Sequence, residues 1–94
     1  MTQATIMLPT GIDSKVINAV LKRASDEFGG FTVTTCEGGW VNPDGELITE
    51  PVKKVEVAGA GETWAKSTAQ WVAKKTDETE VMWQVSNVST GFEK

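Results

Sequence analysis

Two stretches with apolar residues at three- and four-residue spacing alternate with four short strand-forming stretches in the order β, α, β, β, α, β. This order predicts an α+β fold of the split βαβ, or ferredoxin-like, type, in which four antiparallel strands form one sheet and both helices pack on one face. With 94 residues, 39% of them apolar and 23% charged, the chain suits a single domain over 1–94 with a thin core and no need of a cofactor to fold.

The first strand is ATIML, residues 4 to 8, closed by the turn-rich PTG that holds Pro9 and Gly11. Asp13 or Ser14 then caps a helix over 13 to 28, whose apolar stripe is Val16, Ile17, Val20, Leu21, Ala24 and Phe28. Gly29 supplies its left-handed stop. The hairpin FGGFTVTTCEGGWVNPDGELITEPVKKVEV follows over 28 to 57. Its NPDG turn puts Pro43 where φ is fixed near about −65° and Gly45 where φ turns positive, which predicts a type I turn followed by a G1 bulge. That geometry pairs Phe31 with Val57, Val33 with Val55, Cys36 with Val52 and Trp40 with Ile48. A tighter loop would set Phe31 against Glu56 and Val33 against Lys54, mixing apolar and charged partners on each face. Phe31, Val33, Val55 and Val57 are thus expected to face the helices, and Cys36, Trp40, Ile48 and Val52 to face away. GAGETWAKSTAQWVAKKT gives the second helix, over 62 to 76, with Trp64, Thr68, Trp71 and Val72 on one side. The last strand is VMWQVSNV, residues 81 to 88, with Val81, Trp83 and Val85 on the core face and Met82 on the other.

Thirteen acidic against nine basic residues give a net charge of −4, and no basic cluster exists to track a phosphate backbone, so nucleic acid is not expected as a partner. Cys36 is the single cysteine and there is no histidine, which excludes an internal disulfide, a zinc site and a Cys/His catalytic pair. No apolar run approaches a membrane span and the N-terminus has no basic start, so the expected location is the cytoplasm, without membrane attachment. Glu37 and Glu50 come near each other across the hairpin as a conceivable carboxylate pair, but exposed hairpin glutamates are ordinarily solvated, and Cys36 has no partner base. The expectation from this inventory is a protein that is not an enzyme and holds neither metal nor cofactor.

The candidate ligand or interface residues are Gly38, Gly39, Trp40, Ile48, Val52 and Met82. Trp40 and its neighbours form an apolar patch on the face without helices, of a kind that marks an interface, so a homo-oligomer, dimer or trimer, is expected. Gly38 and Gly39 would loosen the ribbon and let its tip reach a neighbouring subunit or a ligand. A weaker feature is VAGAGETW, in which Gly59, Gly61 and Lys66 form a candidate anion site at a helix start, opposed by Glu62.

GGFTVTTCEGGW, NPDG, ITEPVKKVEVAG and EVMWQVSNV together resemble a loosely defined family of small bacterial and phage proteins with the pattern FGG-T-V, G-W, DG, EPV. More distantly, the arrangement is similar to the PII signal-transduction proteins, ferredoxin-like trimers that bind nucleotides and metabolites in clefts between subunits. The turn before the last strand, KKTDETE, differs from that family's glycine-rich, basic phosphate-holding loop. The resemblance implies a non-catalytic oligomeric binding protein that senses or sequesters a nucleotide or signalling metabolite at subunit interfaces. The alternative is a phage-encoded inhibitor or adaptor, acting in the host cytoplasm, that binds a host protein through its hairpin and acidic surface.

Overall fold

Val57 and Val55 sit opposite Ala4 and Ile6 across an antiparallel pair, all four fully buried, and this apolar block is the floor of the core. The computed structural model describes residues 1–9, 11–78 and 80–94; Thr10 of the PTG turn and Thr79 of the KKTDETE turn lie outside the described residues. The elements are β1 (Thr2–Pro9), α1 (Ser14–Phe28), β2 (Thr32–Val41), β3 (Leu47–Ala58), α2 (Glu62–Thr76) and β4 (Trp83–Asn87). They form one antiparallel sheet in the order β2-β3-β1-β4. The fold is the expected split βαβ arrangement, with the first strand inside the sheet.

Asp13 is the N-cap of α1, its carboxylate accepting from the Lys15 N–H at 2.9 Å. Gly29 ends the helix at φ 88°, a conformation that a Cβ disfavours. α1 lies over β3, while α2 lies over β1 and β4. Between sheet and helices, Ile6, Leu8, Val20, Val55, Val57 and Val72 are sealed from solvent, and Trp64 is nearly so. Burial of a side chain of this size contributes about 1.5–3 kcal/mol, so this layer carries the stability of a small domain. Trp64 also ties the helices together. Its indole N–H donates to Glu27 Oε2 at 2.6 Å, and its ring meets Phe28 edge-on at 5.6 Å.

The hairpin turn matches the expected geometry. The Gly45 N–H donates to the Asn42 carbonyl at 2.9 Å, Gly45 has φ 82°, and the Asn42 N–H donates to the Glu46 carbonyl at 2.9 Å. Asn42 Oδ1 accepts from the Asp44 and Glu46 N–H groups, which locks the loop. The ladder accordingly pairs Val33 with Val55, Cys36 with Val52 and Trp40 with Ile48.

Three boundaries differ from expectation. β1 extends beyond 4–8 at both ends, because β3 and β4 supply partners along its length. β4 is shorter than 81–88, although single backbone bonds continue past each end, from Met7 N–H to the Met82 carbonyl and from Val88 N–H to the Met1 carbonyl. Phe31 precedes β2 and is 43% exposed rather than turned to the helices, since the ladder begins one residue later, at Thr32 opposite Glu56.

Thr68 is buried in the helix-sheet interface, and its hydroxyl has no hydrogen-bond partner among the described residues. Thr68→Val keeps the shape and removes that buried polar group, so it is expected to stabilise the fold by about 1 kcal/mol. Urea unfolding of the two proteins checks this; a destabilised valine variant would mean the hydroxyl is satisfied.

Candidate functional site

Both helices occupy one face of the sheet, so the other face is open, and strand alternation decides what it presents. On β1 and β3 the positions between the core residues are Gln3, Thr5 and Met7, and Lys54 and Glu56. Their cross-strand neighbours on β2 and β4 are Thr32, Thr34 and Gln84. The middle of the open face is therefore polar. Gln3 Nε2 donates to Glu56 Oε2 at 2.7 Å, and Lys54 Nζ lies 3.9 Å from Glu56 Oε1. The candidate residues read from the sequence do not include this row, because threonine, lysine and glutamate in a strand look like ordinary solvated positions until the helices are seen to be on the far side.

The ribbon formed by the outer parts of β2 and β3 leaves the body of the sheet. β1 pairs with β3 only from Val52 to Ala58, and at that limit stand Pro9 and Pro51, neither of which has an N–H to extend a ladder. The molecule measures 50 × 25 × 22 Å, and its radius of gyration of 14.2 Å exceeds the about 12 Å of a compact chain this long. Cys36, Gly38 and Trp40 share one ribbon face with Val52, Glu50 and Ile48, as expected. Val52 is buried on that face, while Trp40 at the tip is 51% exposed. Met82 does not join them. It lies beside Met7, six β3 residues from the Ile48 row, or about 20 Å at strand rise, so the expected continuous patch is two separate ones.

The tip is apolar on its other face as well. Val41 and Leu47 pair with each other and are 64% and 71% exposed. No helix covers this face of the ribbon, and the alternation that singled out Trp40 and Ile48 could have found this second pair. A shallow hollow of about 370 Å³ lies near the ribbon's root, lined by Thr35, Cys36, Glu37, Thr49, Glu50 and Pro51. Glu37 is opposite Pro51 and Glu50 opposite Gly38, so the two carboxylates belong to opposite faces and form no pair.

The ladder runs through Gly38 and Gly39 without a bulge, and neither has a positive φ. They differ in surroundings. A Cβ on Gly39 would lie 3.0 Å from the Ile48 carbonyl oxygen and 3.3 Å from a Thr49 methyl, whereas one on Gly38 would meet Val52 methyls at 3.4 and 3.7 Å. The close backbone at Gly39 is the ribbon's own second strand. At the helix start, Gly59 has φ 90° and its N–H donates to the Thr2 carbonyl at 2.7 Å, so that donor closes the sheet. Gly61 begins α2 without a side-chain cap, and Lys66 lies one turn on, beside Glu62, Thr63, Ser67 and Gln70. Among the described residues there is no group of three or more metal-ligating side chains, and no helix is long and apolar enough to cross a membrane.

No family model matches the chain, and no curated protein matches it. The fold is similar to that of a phage SAM lyase in complex with S-methyl-5'-thioadenosine, with a TM-score of 0.64 and 14% identity over 90% of this chain and 79% of that one. The apo state of a phage SAM lyase matches with a TM-score of 0.65, 10% identity and coverage of 90% and 78%. CutA from Synechococcus elongatus PCC7942 matches with a TM-score of 0.60, 9% identity and coverage of 93% and 75%. At these identities the likeness establishes the fold. It also overturns the expectation that the chain is not an enzyme, since two of these structures with its architecture are of a catalyst. The inventory of missing groups bears only on reactions in which the protein itself supplies a histidine, a metal or a nucleophile. A lyase breaks a bond within one substrate.

The two ribbon glycines should respond to alanine with opposite signs. Gly39→Ala presses a methyl on a ladder carbonyl and is expected to destabilise by about 1 kcal/mol. Gly38→Ala adds a methyl at ordinary contact with Val52 and restricts the unfolded chain, and is expected to stabilise by about 0.4–1 kcal/mol. Parallel urea titrations of both variants decide it; equal effects would show that the Ile48 carbonyl is free to move.

Proposed function

We propose that the chain is a homo-oligomeric small-molecule protein that takes a nucleoside-type ligand of the S-adenosylmethionine class between subunits and acts on it as a lyase. The observation that carries this reading is the division of the open face: an exposed apolar tip on the ribbon, then a row in which Lys54 stands beside Met7 and Met82, then the polar side chains of Glu56, Gln84 and Gln3 at the other end of the sheet. An apolar tip suits contact with a second subunit, and the polar end of the face suits a polar ligand. The tip residues Trp40, Val41, Leu47 and Ile48 expose roughly a few hundred Å² of apolar surface, worth on the order of 5–10 kcal/mol when buried. That is comparable with the cost of association, so a well-fitted partner is required for a stable assembly.

The chemistry suits a chain with this inventory. A sulfonium carries its own leaving group: the substrate's own carboxylate oxygen attacks the carbon bonded to sulfur, and the new C–O bond closes a lactone as the C–S bond breaks. The electron pair leaves on the neutral thioether, with no metal or protein nucleophile needed. The protein's part is to orient the substrate and exclude water. Lys54 and Glu56 offer one charge of each sign to a substrate that carries a carboxylate, an ammonium and a sulfonium. The likeness to a lyase structure that holds S-methyl-5'-thioadenosine supports this class of ligand. A second reading, docking of the ribbon on a host protein, draws on the two-faced apolar tip.

Sedimentation and a thermal-shift assay with S-adenosylmethionine and S-methyl-5'-thioadenosine, with chromatography of the reaction mixture, test the proposal. The expected result is an oligomer that Trp40→Ala dissociates, and stabilisation of about 2.7 kcal/mol at a hundredfold excess of ligand over Kd. Lys54→Ala should abolish the shift and the release of thioadenosine while leaving the oligomer intact. A monomer that neither shifts nor turns over these compounds would overturn the proposal and leave the docking reading.

A further inference from the structure

At the end of the sheet away from the ribbon tip, a hollow of about 290 Å³ opens where α1 gives way to β2, walled by Phe28, Phe31 and Phe92, with Glu56 in its lining. It exists because two residues there lack side chains. A Cβ on Gly29 or Gly30 would meet nothing within 4 Å, and only Gly29 needs glycine for its φ. Phe31 is the residue that fails to turn to the helices, and Phe92, in the segment after β4, is 86% exposed. Two large apolar rings exposed beside one hollow are costly to leave in water.

Among the described residues the single charged group in the lining is Glu56, and it is held in place. Gln3 Nε2 donates to Oε2 at 2.7 Å, while Oε1 is 3.9 Å from Lys54 Nζ, beyond hydrogen-bond distance. Aromatic rings present negative faces, and a carboxylate oxygen next to them makes a site that favours an organic cation over a neutral molecule of equal shape. A small metal ion would lack a full set of oxygen ligands here, since among the described residues Glu56 is the one carboxylate in a lining of three phenylalanines, two glycines, Ala58 and Thr32. A sulfonium or a methylated ammonium, with its charge spread over apolar carbon, matches both walls and lining.

We infer that this hollow is a binding site for the sulfonium head of an adenosyl-type ligand, with Phe31 and Phe92 facing the cation and Glu56 balancing its charge. The assignment deepens the lyase reading and rests on it for the adenosyl part of the ligand; the cation selectivity rests on the hollow alone. Such a site discriminates a substrate that still carries the positive sulfur from a product thioether that has lost it, and so favours product release.

Three probes separate the two claims: S-adenosylmethionine, neutral S-methyl-5'-thioadenosine, and trimethylsulfonium as the cation alone. Binding is followed by calorimetry and by NMR of the phenylalanine ring resonances. In the parent protein the charged adenosyl ligand is expected to bind about tenfold more tightly than the neutral one, a ratio within the range of a cation at an aromatic and carboxylate site. Glu56→Gln should bring that ratio close to one, with Glu46→Gln on the hairpin turn as the control for net charge. Gly30→Leu, which fills the hollow without touching the core, should abolish trimethylsulfonium binding. If both adenosyl ligands bind and neither variant changes their ratio, the hollow is overturned and the lyase reading stands. Should trimethylsulfonium move the Phe31 and Phe92 resonances in the parent but not in Glu56→Gln, while neither adenosyl ligand binds, the hollow stands and the lyase reading falls. Silence of all three probes overturns both.

Discussion

The bulged turn at Asn42–Gly45 is the constraint from which the functional surface follows. A strand has a side-chain period of two, so a one-residue change in loop length would exchange the two faces of β2 against β3. Val33 would then oppose Lys54, and the buried Val55 would face a threonine. The turn prevents this with a positive φ at Gly45 and two N–H groups held by Asn42 Oδ1. Every open-face position of β2, from Thr32 at the base to Trp40 at the tip, faces its β3 partner because of that loop.

A second constraint is the mismatch in strand length. β3 has twelve residues and β2 ten, while β1 has eight and pairs with β3 only as far as Val52. The excess must project, and the prolines at 9 and 51 make the end of the shared sheet abrupt. A projecting two-stranded ribbon is marginally stable by itself in water. Its apolar tip therefore gains from contact with another surface, and this gives the proposed assembly a physical reason independent of any likeness.

The body of the molecule is arranged to make the opposite end rigid. Trp64, Glu27 and Phe28 lock the end of α1 to the start of α2, and Gly59 fastens the turn before α2 to the first residues of β1. The hollow beside Phe28 and Phe31 borders this fixed corner, which suits a site that must hold a charged head in one orientation. A projecting ribbon and a packed base divide assembly from recognition.

Element order, both helices, the hairpin register and the capping residues were legible in the sequence because each rests on local rules: helical periodicity, a glycine stop, a turn that demands positive φ. The inward-facing valines followed from the register, and Trp40 and Ile48 with them. What only the tertiary structure decided depends on which elements lie side by side. The strand order places Met82 next to Met7 and far from Trp40. Phe31 turns out of the core because β2 begins after it, and Gly39 is small because a neighbouring carbonyl leaves no room. The polar row across Gln3, Lys54, Glu56 and Gln84 draws on three strands distant in sequence. No local pattern marks such a row, because its meaning comes from the face on which the helices happen not to lie.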